Sequence, residues 1–170
     1  DQIAKMKAGV SGDVGLFAFL IYDTGCRRGE AQGLMYEGID LKNKRIRIQR
    51  SVYNTGPTPQ IKLPKTEADI RSVPLLTALA DALPNKKHGY IFSTDGGASP
   101  LPGWKLEDLY VGYKTRTGVT VSPHVIRHGS ASALYESGVD YKPMQQLLGH
   151  PQLATPMDIY TEIFDNSLDH

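Results

Sequence analysis

The segment His124-Val125-Ile126-Arg127-His128 sets two imidazoles and a guanidinium at three- and four-residue spacing. On a helix that spacing returns to one side, so positions 124, 127 and 128 share a face. Such a face near a helix N-terminus is suited to an anion. Zinc is the competing use, because His at i and i+4 is a known ligand pair. That motif has Glu directly after the first His, whereas Val125 stands there. Arg127 between the imidazoles would repel a cation, and no third ligand is suggested nearby. The motif taken singly is equally compatible with satisfied helix-surface histidines.

Further groups with chemical potential are spread along the chain. Thr24-Gly25-Cys26-Arg27-Arg28-Gly29-Glu30 puts two arginines after a glycine turn, with an acid three residues after Arg27. Pro64-Lys65-Thr66 lies in a loop leading to a strand. Leu147-Leu148-Gly149-His150 adds an imidazole just past a helix end, and Tyr160 follows in Met157-Asp158-Ile159-Tyr160. A free tyrosine has a pKa of about 10 and is a poor nucleophile at neutral pH.

The elements that must position these groups follow from pattern and punctuation. Asp13 to Tyr22 reads as a buried helix with Asp13 as N-cap, broken by Asp23-Thr24-Gly25, and a short helix starts near Arg27. Arg45 to Tyr53 alternates as one strand, with Ile46, Ile48 and Val52 on one side. Asn54-Thr55-Gly56-Pro57 is a turn, and Gln60–Leu63 and Arg71–Pro74 are returning strands. Helices are expected over Leu75–Leu83, ended by Pro84-Asn85, and Trp104–Lys114, with Trp104 in the core; Gly89–Phe92 is a short buried strand or turn. Ser122-Pro123 caps a helix from Pro123 to Ser137 that Gly138 closes. Asp140 caps the next helix, which Gly149 ends. Thr155-Pro156 repeats the Ser-Pro device before a last helix carrying Tyr160. The fold class is α+β: mostly helical, with a small antiparallel sheet in the N-terminal third.

The 170 residues suit one domain with a real core. The single cysteine, Cys26, excludes an internal disulfide and a cysteine-based zinc site, and fits a reducing cytosol. The longest apolar run, Leu16 to Tyr22, is far short of the roughly 20 residues of a membrane helix. The expectation is a soluble, cytoplasmic protein with no membrane partner. The chain opens at Asp1 on a helix-like stretch and is expected to be a piece of a longer protein. Net charge is +1 and uninformative; its distribution is not. From Lys42 to Arg71 eight basic residues face two acids, whereas Pro151 to His170 holds four acids and no Lys or Arg. A polyanion would meet the first region and avoid the last. A solvated charged hairpin is the plainer account of the same residues.

Jointly and in this order, the pieces from about Asp13 to Glu162 resemble the tyrosine recombinase (phage integrase) family. The resemblance implies that Arg27 and Arg127 clamp the non-bridging oxygens of a scissile DNA phosphate, where planar forks serve better than lysine. It implies that His124 helps move the nucleophile's proton and that His150 hydrogen-bonds the phosphate as charge develops. Lys65 is then the general acid for the leaving 5′ oxygen, Glu30 orients its neighbours, and Tyr160 is the nucleophile. His128 supports the site. The product would be a 3′-phosphotyrosine, which conserves the phosphodiester energy, so neither ATP nor a metal or other cofactor is expected. Arg28, Arg45, Arg47, Arg50 and Lys62 are the expected contacts to double-stranded DNA, the arginines of the outer strand face as phosphate contacts rather than base readers. Arg28 is expected to be solvent-exposed or on the DNA backbone. Tyr135 and Tyr141 are assigned to packing.

Family members carry an upstream core-binding domain and often an arm-binding domain. Residues 1–170 are therefore expected to form one catalytic domain, monomeric as a fragment and part of a homotetramer on paired DNA sites when full length. The extended turn from Asn54 to Pro59 favours a phage or conjugative-element integrase. A type IB topoisomerase and a non-catalytic DNA-binding or assembly module on the same scaffold are the rival readings.

Overall fold

The structure is a computed structural model that describes residues 13–66, 70–120 and 122–149. Helix α1, Asp13–Thr24, is apolar almost all round. A helix of that composition must be surrounded, and Val14 and Leu16 through Ile21 are indeed all buried. Phe17 is its anchor: its ring meets Phe92 edge-on at 4.8 Å and Tyr110 at 6.3 Å, a favoured aromatic geometry.

Gly25 turns the chain at φ 64°, and Cys26 follows, buried beside α1. Burial pushes the Cys26 thiol up to about 12, with the Glu30 charge adding to the effect. It is a core group and not a nucleophile. Helix α2, Arg28–Gln32, comes next, then a 3-10 turn at Tyr36–Gly38.

The strands are β1 (Ile39–Asp40), β2 (Arg45–Ile48), β3 (Ser51–Tyr53), β4 (Gln60–Lys62) and β5 (Arg71–Pro74). They form two antiparallel sheets, β1-β2-β5 and β3-β4, not one. Ile46 sits opposite both Ile39 and Val73, and is fully buried with Val73. The single strand expected over Arg45–Tyr53 is interrupted at Gln49-Arg50. The alternation itself supplies the reason. An unbroken strand would put Arg50 on the face of Ile46, Ile48 and Val52, burying a guanidinium in the apolar core. The chain leaves the ladder there, and Arg50 ends half-buried at the edge.

Helix α3 covers Thr77–Ala82, shorter than expected because Leu75 still donates its N–H to the Lys44 carbonyl, extending the β5 ladder. The Gly89–Phe92 segment makes only an isolated bridge, Tyr90 to Met35. Helix α4, Gly103–Thr117, ends at a left-handed Gly118, and its Trp104 is exposed (54%) rather than core. Helix α5, Pro123–Glu136, begins as expected, with the Ser122 hydroxyl accepting from the Val125 N–H. Helix α6, Tyr141–Leu148, ends at Gly149. Asp140 occupies its N-cap position without a capping bond from its side chain. The expected helix beyond Thr155 lies outside the described residues. Among those described, no helix is long and apolar enough to cross a membrane.

Truncating the anchor tests this packing. Phe17→Ala is expected to lower the free energy of unfolding by about 3–5 kcal/mol. Urea denaturation followed by circular dichroism would show a lower midpoint with a nearly unchanged m-value.

Candidate active site

The last carbonyls of a helix have no partner within it, and its C-terminal end carries partial negative charge. At the end of α6 three arginines from three different elements take up that role. Arg71 donates Nε to the Leu147 carbonyl at 3.1 Å, Arg127 donates Nη2 to Leu148 at 2.9 Å, and Arg27 donates Nη2 to Gly149 at 2.9 Å. Arg127 also donates Nη1 to the Gly25 carbonyl at 2.6 Å, tying the α1–α2 turn to the same point.

Two glycines make the close approach possible. Gly25 has φ 64°, and a Cβ there would come within 2.7 Å of the Leu148 side chain. Gly149 has φ 62°, and a Cβ there would lie 2.5 Å from the Arg71 guanidinium. Any other residue would meet backbone strain there and would have to displace those side-chain ends.

Burial separates the arginines. Arg127, on α5, is 8% exposed. Arg27 is the N-cap residue of α2, with 44% of its side chain exposed. Glu30, in the first turn of α2, accepts the Arg27 backbone N–H at 2.7 Å. It also receives two parallel bonds of 2.7 Å from Arg71 Nη1 and Nη2. Burial works to raise the Glu30 pKa, but the Arg71 bonds and charge, with the Arg27 N–H, outweigh it and hold the carboxyl below its ordinary value.

Above the α6 end lies a groove of about 700 Å³. Arg27, Arg50, Lys62, Lys65, Arg71 and Gly149 are among its walls, so cations from α2, the sheets and their loops face one space. Lys65 is exposed there, on the segment between β4 and β5. His124 is exposed on α5, its Nε2 2.7 Å from that of His128, with the rings at 82°. One of those nitrogens carries the proton that the other accepts. Among the described residues, no three His, Cys, Asp or Glu side chains gather where they could hold a metal ion.

The structure therefore joins Arg27, Glu30 and Arg127 at one helix end, places Lys65 in the groove beside Arg27, and pairs His124 with His128. His150 and Tyr160 lie outside the described residues. The expected DNA-contact residues divide. Lys62 and Arg50 line the groove, Lys62 within 3.3 Å of the Tyr53 hydroxyl. Arg45 and Arg47 are exposed on β2, where Arg45 is bonded across the sheet to Ser72. Arg50 does not share their face. Arg28, expected to face solvent or DNA, is turned toward α4, bonded to Glu107 at 3.1 Å and to the Gly103 carbonyl.

From the sequence, Arg71 belongs to a strand and to the basic stretch from Lys42, and not to the site. The period-2 pattern carried the missing signal: Arg71, Val73 and Leu75 alternate, so the arginine shares the inward face of two residues that are buried.

Comparison with known proteins bears on family and fold. The model of the Phage integrase family matches residues 13–167. A tyrosine recombinase XerC-like protein of Caldanaerobacter subterraneus subsp. tengcongensis is 28% identical, over 96% of this chain and 49% of its own length. Transposase A from transposon Tn554 of Staphylococcus aureus is 29% identical, over 90% of this chain and 44% of its own. The chain thus spans about half the length of the curated relatives it matches. In fold it is similar to the Tn1549 transposon integrase in complex with transposon right end DNA, with TM-score 0.74 and 21% identity, covering 94% of this chain and 59% of that one.

The depressed Glu30 pKa gives a pH signature. The unfolded carboxyl takes up its proton near the ordinary value of 4.5, above the folded one. The stabilisation is therefore complete above that value and is lost as pH falls through the folded pKa. Glu30→Gln, which leaves Arg71 without its carboxylate, is expected to be about 3 kcal/mol less stable at pH 7. That deficit should narrow below pH 4.5 in denaturation curves measured across pH.

Proposed function

The chain belongs to the phage integrase family, and from that membership we propose that it is the catalytic domain of a site-specific DNA recombinase serving a mobile element. The observation that carries the reading is the convergence of Arg27 and Arg127 on the carbonyls of Gly149 and Leu148, directly before His150, with Lys65 in the same groove as Arg27. A phosphate seated on two guanidiniums oriented by backbone carbonyls would be met by planar donors of matching geometry.

In this reading the Tyr160 oxygen attacks the scissile phosphorus. Its proton passes to an imidazole, for which His124 is placed on the same helix as Arg127, with His128 holding the partner nitrogen. Arg27, Arg127 and His150 take the added negative charge of the phosphorane, which they stabilise more than the ground state. The P–O bond to the 5′ oxygen breaks as Lys65 delivers a proton to that oxygen. The products are a 3′-phosphotyrosine and a free 5′ hydroxyl. Attack by a 5′ hydroxyl of the partner strand reverses each transfer, so joining consumes no further energy source. Glu30 orients Arg27 through its backbone and Arg71 through its side chain.

The partner is double-stranded DNA, gripped by the groove and by the exposed cations of β2 through phosphate contacts. The full-length protein assembles as a homotetramer on paired sites and works in the cytoplasm, where its DNA lies. The relation to a transposon transposase supports a mobile element.

A nicked suicide substrate, whose short leaving strand diffuses away, tests the chemistry in the full-length protein. The expected result is a covalent protein–DNA adduct that Tyr160→Phe abolishes while DNA binding by mobility shift is retained. Arg27→Ala should slow adduct formation by about 100- to 1000-fold. An undiminished adduct in Tyr160→Phe would place the nucleophile elsewhere.

A further inference from the structure

We propose that Arg71 is a positioning residue of the site, the clamp that fixes the Lys65 loop against the end of α6. The inference rests on the recombinase reading given above and adds a residue to it.

The geometry is specific to a guanidinium. Arg71 uses all three of its nitrogens at once: Nη1 and Nη2 meet the two oxygens of Glu30 in parallel at 2.7 Å, and Nε meets the Leu147 carbonyl at 3.1 Å. The nitrogens of a guanidinium form a fixed planar fork, and the single ammonium of a lysine does not reproduce it. Both side chains of the pair are largely withdrawn from solvent, Arg71 at 16% and Glu30 at 10% exposure. Gly149 leaves the guanidinium its space.

Three elements meet through this one group. Arg71 opens β5, six residues after Lys65. Glu30 stands in α2 and holds the backbone of Arg27. Leu147 stands two residues before Gly149, whose carbonyl receives Arg27. Arg71 thus ties the strand that follows the general-acid loop to the helix end that receives Arg27. Its own charge is spent on Glu30, so it orients the site rather than binding the phosphate.

Displacing a reacting group by about 1 Å can cost on the order of 100-fold in rate. The test is single-turnover adduct formation by full-length Arg71→Lys on two suicide substrates. One has the natural 5′ oxygen at the scissile bond; in the other sulfur replaces it, and a thiolate leaves without needing a proton. A misplaced Lys65 predicts a loss of about 100-fold on the oxygen substrate, a loss of no more than about 10-fold on the sulfur substrate, and unchanged DNA affinity. Equal losses on both substrates, or wild-type rates on both, would overturn the proposal. Should Arg71→Lys fail to fold in a thermal melt, Arg71→Gln, which leaves Glu30 on the Arg27 backbone, is read on the same two substrates. Wild-type protein that forms no adduct on either substrate would count against the recombinase reading itself, which keeps the two failures apart.

Discussion

The end of helix α6 is where this fold is made or lost. Three successive carbonyls, of Leu147, Leu148 and Gly149, have no partner within the helix and receive guanidiniums from β5, α5 and α2. Two of those arginines lie far from their α6 partners in sequence, Arg27 by 122 residues and Arg71 by 76, whereas Arg127 stands on the preceding helix. The loop-closure entropy of bringing such distant segments together is offset by apolar burial, chiefly around α1. The polar bonds then choose a single arrangement among those the apolar core would allow. A helix end that would otherwise repel an anion is turned into one that presents cations.

Much of this was legible in the sequence, for reasons that can be named. Ser122-Pro123 has only one common structural use, and Gly149 after an amphipathic segment marks a helix end, so α5 and the close of α6 follow from local chemistry. The apolar stretch around Phe17 required a buried helix. Arg27 and Arg127 stood out because the motif around each resembles a family pattern. Their actual partners are backbone carbonyls, two of them over a hundred residues away, and these have no local signature at all.

What was missed has an equally physical origin. Reading Arg45 to Tyr53 as one strand gave weight to Ile46, Ile48 and Val52 and ignored that Arg50 falls on their side. Burial of that guanidinium would cost more than the ladder bonds return, so the strand breaks and a second sheet arises. Trp104 was taken for core from its residue type, yet it stands on the solvent side of α4, whose buried residues are Gly103, Leu106 and Tyr113. Arg28 was assigned outward although Glu107, on α4, was available to it. In each case the tertiary partner decided, and the local sequence did not contain it.

The partners of the arginines also divide them by role. A carboxylate both orients a guanidinium and cancels its charge, as Glu30 does for Arg71 and Glu107 for Arg28. A carbonyl orients it and leaves the charge in place, as Gly149 does for Arg27. Glu30 stands 3.6 Å from Arg27 Nη1, against 2.7 Å from Arg71, so most of its compensation goes to Arg71. A site for a phosphate needs both kinds: neutralised arginines that make a rigid frame, and carbonyl-held arginines whose field reaches the ligand. Because carbonyl dipoles are fixed by the helix, the second kind is held in position before the anion arrives. Little reorganisation is then left for the moment when charge grows on the phosphorane, which is the condition under which electrostatic stabilisation is largest.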